Sequence, residues 1–280
     1  GRKWRFDPAT MSDITSTGFV GIEGEQEMYQ DKLQIKITDI WLHEPTTEEL
    51  TDLLPSTRKN IDEMFEEVTA LLHSLEHPAA KALSAAYLDD AQLMQDFRVA
   101  PAAMQIHHAW IGGLLEHTLQ LMKLADGMLP SYPRLNRDII LISLFIHDMG
   151  KVEELRWDRG FEYTREGNLI GHIARGAMWL EGKAKVAEDT LGEPLPDGFL
   201  TVMQHIVLSH HGLLEHGAAK LPSTPEAIFV SQLDNLDAHT QTALDSARPW
   251  VKTAVGDEAF TERLWSLNTK LYRRDPLQTS

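Results

Sequence analysis

The chain of 280 residues contains no cysteine. That excludes a disulfide scaffold, a thiolate-ligated zinc finger and a cysteine nucleophile, and it suits a reducing compartment. Long apolar runs are also missing: none approaches the ~18 residues that a membrane span needs. No basic-then-apolar leader opens the sequence. The expected location is cytoplasmic, with no membrane partner. Positive charge is scarce, with 26 basic residues against 42 acidic ones and a formal charge of −16. This argues against a sequence-independent duplex binder, which needs a broad basic face to displace counterions. It leaves open an enzyme that holds nucleic acid through metal ions and stacking. Apolar residues at 42% and charged residues at 24% are ordinary for a globular protein, so disordered and fibrous classes are out.

What the chain has in abundance is histidine, 13 in all. The organisation around those residues comes in two parts. Val20-Gly21-Ile22-Glu23-Gly24 and Leu33-Gln34-Ile35-Lys36-Ile37 alternate apolar with polar or glycine, the period-2 pattern of half-buried strands. Lys3–Phe6 suggests a further strand. Glu44-Pro45-Thr46-Thr47-Glu48-Glu49 then carries proline and a helix-cap pattern with an acidic first turn. Beyond it Ile61, Met64, Phe65, Val68, Leu71, Leu72 and Leu75 make one helical stripe, ended by His77-Pro78. Further helices are expected near 79–97, 105–128, 136–149, 168–190, 198–211, 224–246 and 257–271, with prolines between several of them. Lys270, Arg273 and Arg274 would close the last helix and suit its dipole. Phe161–Thr164 reads as a short strand or loop edge.

Five segments carry the chemistry. They are Gly112-Gly113-Leu114-Leu115-Glu116-His117, His147-Asp148-Met149-Gly150-Lys151, Gly171-His172, Ser209-His210-His211-Gly212 and Asp234-Asn235-Leu236-Asp237-Ala238. His147-Asp148 ends the apolar run Ile139–Ile146. A carboxylate at the end of so apolar a helix needs a compensating partner if buried, and a divalent metal is the natural one. Imidazole and carboxylate without thiolate suit Mn, Fe, Co, Ni or Zn. Neighbouring His and Asp on a helix point ~100° apart, and an aspartate has two oxygens with which to bridge two metals. Taken singly, a histidine on an apolar helix is more often a core residue than a ligand. Five such segments in one helical domain point jointly to metal binding.

His117, His147-Asp148 and Asp234 reproduce the H…HD…D order of the HD-domain phosphohydrolases, which the region 100–245 resembles. The resemblance implies one metal held by His117, His147, Asp148 and Asp234. Asp148 would bridge to a second held by His172, His210 and His211. A narrower resemblance rests on Pro101-Ala102-Ala103, His107 to Thr118, Ile170 to Ile173, Leu208 to Gly212, Asp234 to Ala238 and Glu27 to Gln34. These look like the YhaM-type 3′–5′ exoribonucleases, in which an OB-fold nucleic-acid-binding domain precedes the HD domain. The fold class this implies is mainly α, a helical HD-domain bundle preceded by a small OB-like β domain. The β segment is too short for all five OB strands. The expected domains are 1–46 (OB-like), 47–98 (helical connector) and 99–280 (HD domain with C-terminal helices).

The implied activity is metal-dependent 3′–5′ exonuclease action on single-stranded RNA, and on DNA as a second substrate. Two divalent ions, manganese first with Fe, Co, Ni or Zn as alternatives, suit phosphodiester hydrolysis. Asp148 would act as bridging ligand. Lys151 would contact a non-bridging phosphate oxygen; in isolation it is a solvated lysine offsetting a helix dipole. His107 and His108 are candidate substrate contacts, and Trp4, Phe6 and Tyr29 candidate base-stacking residues, with barrel core as the plainer reading for most of the three. Gly112 and Gly113 are expected inside a helix, where they favour close packing. Glu116 is expected to face solvent. His43, His73, His77, His205, His216 and His239 are read as structural or surface residues. Assembly into a homo-oligomer is a further implication of the resemblance. Two other functions compete: a phosphohydrolase of small nucleotides or cyclic nucleotides, and a non-catalytic metal-bound nucleic-acid-binding module. Cyclic di-GMP is disfavoured because Gly212-Leu213-Leu214 follows His210-His211 where that subgroup carries a GYP element.

Overall fold

A computed structural model describes residues 19–29, 32–46, 49, 54–104, 109–157, 160–248 and 259–277. The alternating segments form an antiparallel pair, β1 (Val20–Tyr29) and β2 (Lys32–Leu42), with a register shift at Glu23/Gly24. The strand expected at Lys3–Phe6 lies outside the described residues. Thr46 and Glu49 bond reciprocally, Thr46 N–H to the Glu49 carboxylate and Glu49 N–H to the Thr46 hydroxyl, the pairing of a capping box.

The rest is mainly helical, as expected. The expected stripe folds as α1 (Ile61–His73), capped by the Asn60 side chain and burying Met64, Val68 and Leu72. The single helix expected over 79–97 is two, α2 (Pro78–Leu88) and α3 (Ala91–Val99). The break falls at Asp89-Asp90 because the Asp90 carboxylate accepts from Leu93 N–H and starts a new helix. Helix α4 (Gly113–Met128) begins later than expected. Gly112 is not helical: it stands at the N-cap with φ of +80°, and a Cβ there would lie 2.9 Å from Thr57 Cγ2. Only glycine occupies that conformation without strain.

Helix α5 (Arg137–Ile146) has Ile140 to Ile146 fully buried. A helix apolar all round belongs in the centre of a bundle, and α5 packs against α1, α2, α4 and two helices introduced below. Phe145 meets Tyr87 and Phe97 edge-on, with centroids 6.0 and 5.7 Å apart; each such pair contributes about 1 kcal/mol beyond burial. Short elements follow: α6 (Lys151–Glu154), the paired strands β3 (Leu155–Arg156) and β4 (Glu162–Tyr163), and α7 (Arg165–Leu169). The long helices α8 (Gly171–Leu191), α9 (Phe199–Ser209) and α10 (Pro225–Ala247) complete the bundle, α9 and α10 against α5 and α8 against α2 and α9. Among the described residues no helix is long and apolar enough to cross a membrane.

The helix expected over 257–271 is absent from 259–277. That segment folds back on itself through backbone bonds between Thr261 and Leu271, Leu264 and Thr269, and Arg273 and Ala259. Phe260, Leu264, Leu267 and Leu271 have helical spacing, but Asn268 takes a positive φ of 52° and turns the chain. Lys270, Arg273 and Arg274 therefore do not sit on a helix terminus.

Candidate metal centre

Helix ends bring the histidines together. His147 caps the C-terminus of α5, His210 caps that of α9, and His172 lies in the first turn of α8. His117 sits in α4, Asp234 in α10. Asp148 follows α5 and is buried at 2% exposure. Its two oxygens face different neighbours. Oδ2 lies 3.4 Å from His147 Nε2, 3.8 Å from His117 Nε2 and 2.6 Å from Lys151 Nζ. Oδ1 lies 3.4 Å from both His172 Nε2 and His210 Nε2. Asp234 Oδ1 is 3.2 Å from His117 Nε2. Two sets of donor atoms are close enough to hold an ion: Asp148 with His117 and His147, and Asp148 with His172, His210 and His211.

The opposite ring nitrogens fix the orientation. Nδ1 of His117 bonds Asp237 Oδ2 at 2.9 Å, and Nδ1 of His172 bonds Glu154 Oε2 at 2.8 Å. Nδ1 of His147, His210 and His211 bonds the carbonyls of Leu144, Val207 and His216. Carbonyls only accept, so in these three rings the proton lies on Nδ1 and the Nε2 lone pair points inward. Nε2 of His147, His172 and His210 and Oδ1 of Asp148 are buried with no hydrogen-bond partner. Four orphaned acceptors facing one another are costly, and a divalent cation is the group that satisfies all of them. The donor set thus fits the metal chemistry expected of it.

The titration behaviour follows. Burial drives His147 down to about 4, against the attraction of Asp148 and Asp234. Burial, His210 and His172 drive His211 down to about 4. Burial opposes protonation of His117 too, but hydrogen bonds to Asp234 and Asp237 win and hold it at about 9. Asp148 resists burial through Lys151 and His147 and stays well below the usual carboxylate range. Lys151, buried beside Asp148, is raised. Glu154 is lowered, its burial outweighed by the bonds to His172.

Two carboxylates escaped the sequence reading. Asp237 and Glu154 each hold a histidine from behind, and Gln120 Nε2 donates to Asp237 at 2.5 Å. Glu116 does not face solvent: it accepts from Thr57 and Trp110 at 2.6 and 2.9 Å and pairs with Lys59. Gly150 has a reason as well, because a Cβ there would fall 2.2 Å from the His172 carbonyl oxygen. Glycine lets the first turn of α8 close on the His-Asp turn. Lys151 lines a cleft of about 480 Å³ together with His117, Asp148, His210, His211 and Asp234. His216 and His239, read as structural or surface residues, line it too. Tyr29 lies at the end of β1, about half exposed. His107, His108, Trp4 and Phe6 lie outside the described residues.

The HD domain family matches residues 114–239. The chain is similar to the 3′-5′ exoribonuclease YhaM of Geobacillus sp. (strain WCH70), 33% identical over 270 residues, covering 96% of this chain and 79% of that one. It is also similar to the protein of the same name from Listeria innocua serovar 6a, 31% identical over 254 residues, covering 90% of this chain and 77% of the other. No solved structure gives a significant match.

Proposed function

The chain belongs to the YhaM 3′-5′ exoribonuclease family, metal-dependent hydrolases with an HD domain, and from that premise we propose that it shortens single-stranded RNA from the 3′ end. The observation that carries the reading is Asp148, a buried carboxylate whose two oxygens face two separate groups of imidazole Nε2 atoms. In this reading His117, His147, Asp148 and Asp234 would hold one divalent ion, and Asp148, His172, His210 and His211 would hold a second, with manganese the first choice. Bound there, divalent ions supply Lewis acidity for phosphodiester hydrolysis at neutral pH.

The chain's own residues do the rest. Asp148 stays ionised, so it serves both ion sites without a proton to lose. Lys151 stays protonated in the wall of the cleft. Its ammonium meets a non-bridging phosphate oxygen as charge accumulates there. Glu154 and Asp237 hold the His172 and His117 rings in place. His107, His108, Trp4, Phe6 and Tyr29 remain substrate-contact assignments of this proposal, 1–46 its OB-like domain, 47–98 its connector and 99–280 its catalytic part. Single-stranded DNA is a second substrate, a homo-oligomer the working assembly and the cytoplasm the location.

The test is a time course on 5′-labelled single-stranded RNA with Mn²⁺, beside Asp148→Ala and Lys151→Ala. The expected result is a ladder shrinking from the 3′ end, abolished in the first variant and slowed in the second. Intact RNA in the wild-type lane, with turnover in a screen of small nucleotides, would overturn the reading in favour of a nucleotide phosphohydrolase, which the charge of −16 would suit.

A further inference from the structure

Trp265 is 82% exposed, while the other exposed tryptophan among the described residues, Trp41, is at 47%. Exposure of an apolar side chain is common on this surface, so the place of the indole is what matters. Its position is specific. Trp265 and Ser266 line the same cleft as Asp148 and Lys151, together with Ala238, His239 and Thr242 of α10. The backbone pairing of Leu264 with Thr269 holds Trp265 in a tight turn, closed by a hydrogen bond from Arg263 to Asn268. The charge of this segment is reversed relative to the whole: residues 259–277 carry four basic residues against two acidic ones.

We propose that Trp265 is a substrate-positioning residue whose indole stacks on a base of a single-stranded polynucleotide while the strand's phosphate reaches the Lys151 ammonium. This rests on the function proposed above and deepens it by naming the residue that grips the base. Every base has a π-face, so such a platform is tolerant of sequence, which suits removal of successive nucleotides of any identity. The net positive charge of the segment favours a phosphate backbone near Trp265, which the acidic bulk of the protein does not.

The test measures binding of a fluorescein-labelled oligouridylate to the metal-free full chain by anisotropy, where no cleavage intervenes. Trp265→Ala is expected to bind about tenfold more weakly, within the range for loss of one base stack. Trp265→Phe should recover most of the affinity and Trp265→Leu little of it, a pattern that mere apolar contact would not give. Equal affinity of wild type and Trp265→Ala, matching affinities of the Phe and Leu variants, or no RNA binding by wild type would each overturn the proposal. Cleavage with Mn²⁺ is scored separately. RNA shortened equally well by wild type and Trp265→Ala at limiting concentration removes the stacking role and leaves the exonuclease. RNA bound through Trp265 but never shortened keeps the stacking role and removes the exonuclease.

Discussion

Replacing Asp237 by asparagine isolates what a buried carboxylate behind a metal-ligating imidazole contributes. Asp237 is 3% exposed and accepts from His117 and Gln120; asparagine keeps its size and one acceptor oxygen but not its charge. With both Asp234 and Asp237 in place His117 is held at about 9, so at pH 7 its ring is protonated in the metal-free protein. His147, held at about 4, is already neutral. An ion entering the His117–His147–Asp148 group therefore expels one proton, from His117. With the value near 9, that costs about 3 kcal/mol at pH 7 and under about 1 kcal/mol at pH 8.5. Wild-type Mn²⁺ affinity should climb about tenfold per pH unit between 6.5 and 8.5, with nearly one proton released per ion at this group. The variant's ring loses its proton more readily, so its release is smaller and its affinity climbs less. It is also a weaker and less well-oriented ligand, which costs about 10- to 100-fold in affinity. The two effects offset one another at pH 6.5 and separate by pH 8.5, where the variant should bind more weakly. Titration calorimetry in two buffers of different ionisation enthalpy reads both quantities. Equal proton release and parallel affinity curves for the two proteins would refute the reasoning.

Glu154→Gln should act on the other group, because Glu154 holds both the ring and the backbone N–H of His172. One step of a two-step metal isotherm should weaken about 10- to 100-fold while the other stays put; equal weakening of both steps would show that the two groups do not act separately. The metal-free protein should also have a stability maximum near pH 6.5. As pH falls from 6.5 toward 4, His147 and His211 must be charged in the unfolded chain but not in the folded one, so stability drops. The contribution of His117 is fully present below its ordinary value of 6.5 and is lost as pH rises through about 9. Thermal melts in a chelator should fall on both sides, and a melting temperature flat from pH 6.5 to 9 would contradict the assignment.

Which parts of the site were legible in the sequence depends on where each histidine sits along its helix. A histidine just past the end of a helix finds free carbonyls three residues back, since the last turn has no helical partners for them. His147 and His210 use the Leu144 and Val207 carbonyls in this way. For them an apolar run ending in histidine is enough to orient the ring, and the run is visible in the sequence. His117 has no such freedom, because inside α4 the carbonyls are spent on the helix. His172 stands in the first turn of α8, where donors, not acceptors, are spare. Both rings need an acceptor from another element, and local sequence does not say which of 42 acidic residues the packing of α6 or α10 will deliver. Asp237 was in view beside Asp234 and Glu154 a turn beyond Lys151, but their inward aim is set by tertiary contacts. The same reason hid the need for Gly150, which is the proximity of the His172 carbonyl. Tertiary pairing also overrides the helix expected over 257–271, where the helical spacing of Leu264, Leu267 and Leu271 yielded to pairing of Leu264 with Thr269. The ligand atoms that a helix terminus can organise by itself are thus the ones a sequence displays. The two carboxylates that the remaining rings must borrow are where substitutions should separate metal affinity from fold, since each touches a ligand without being one.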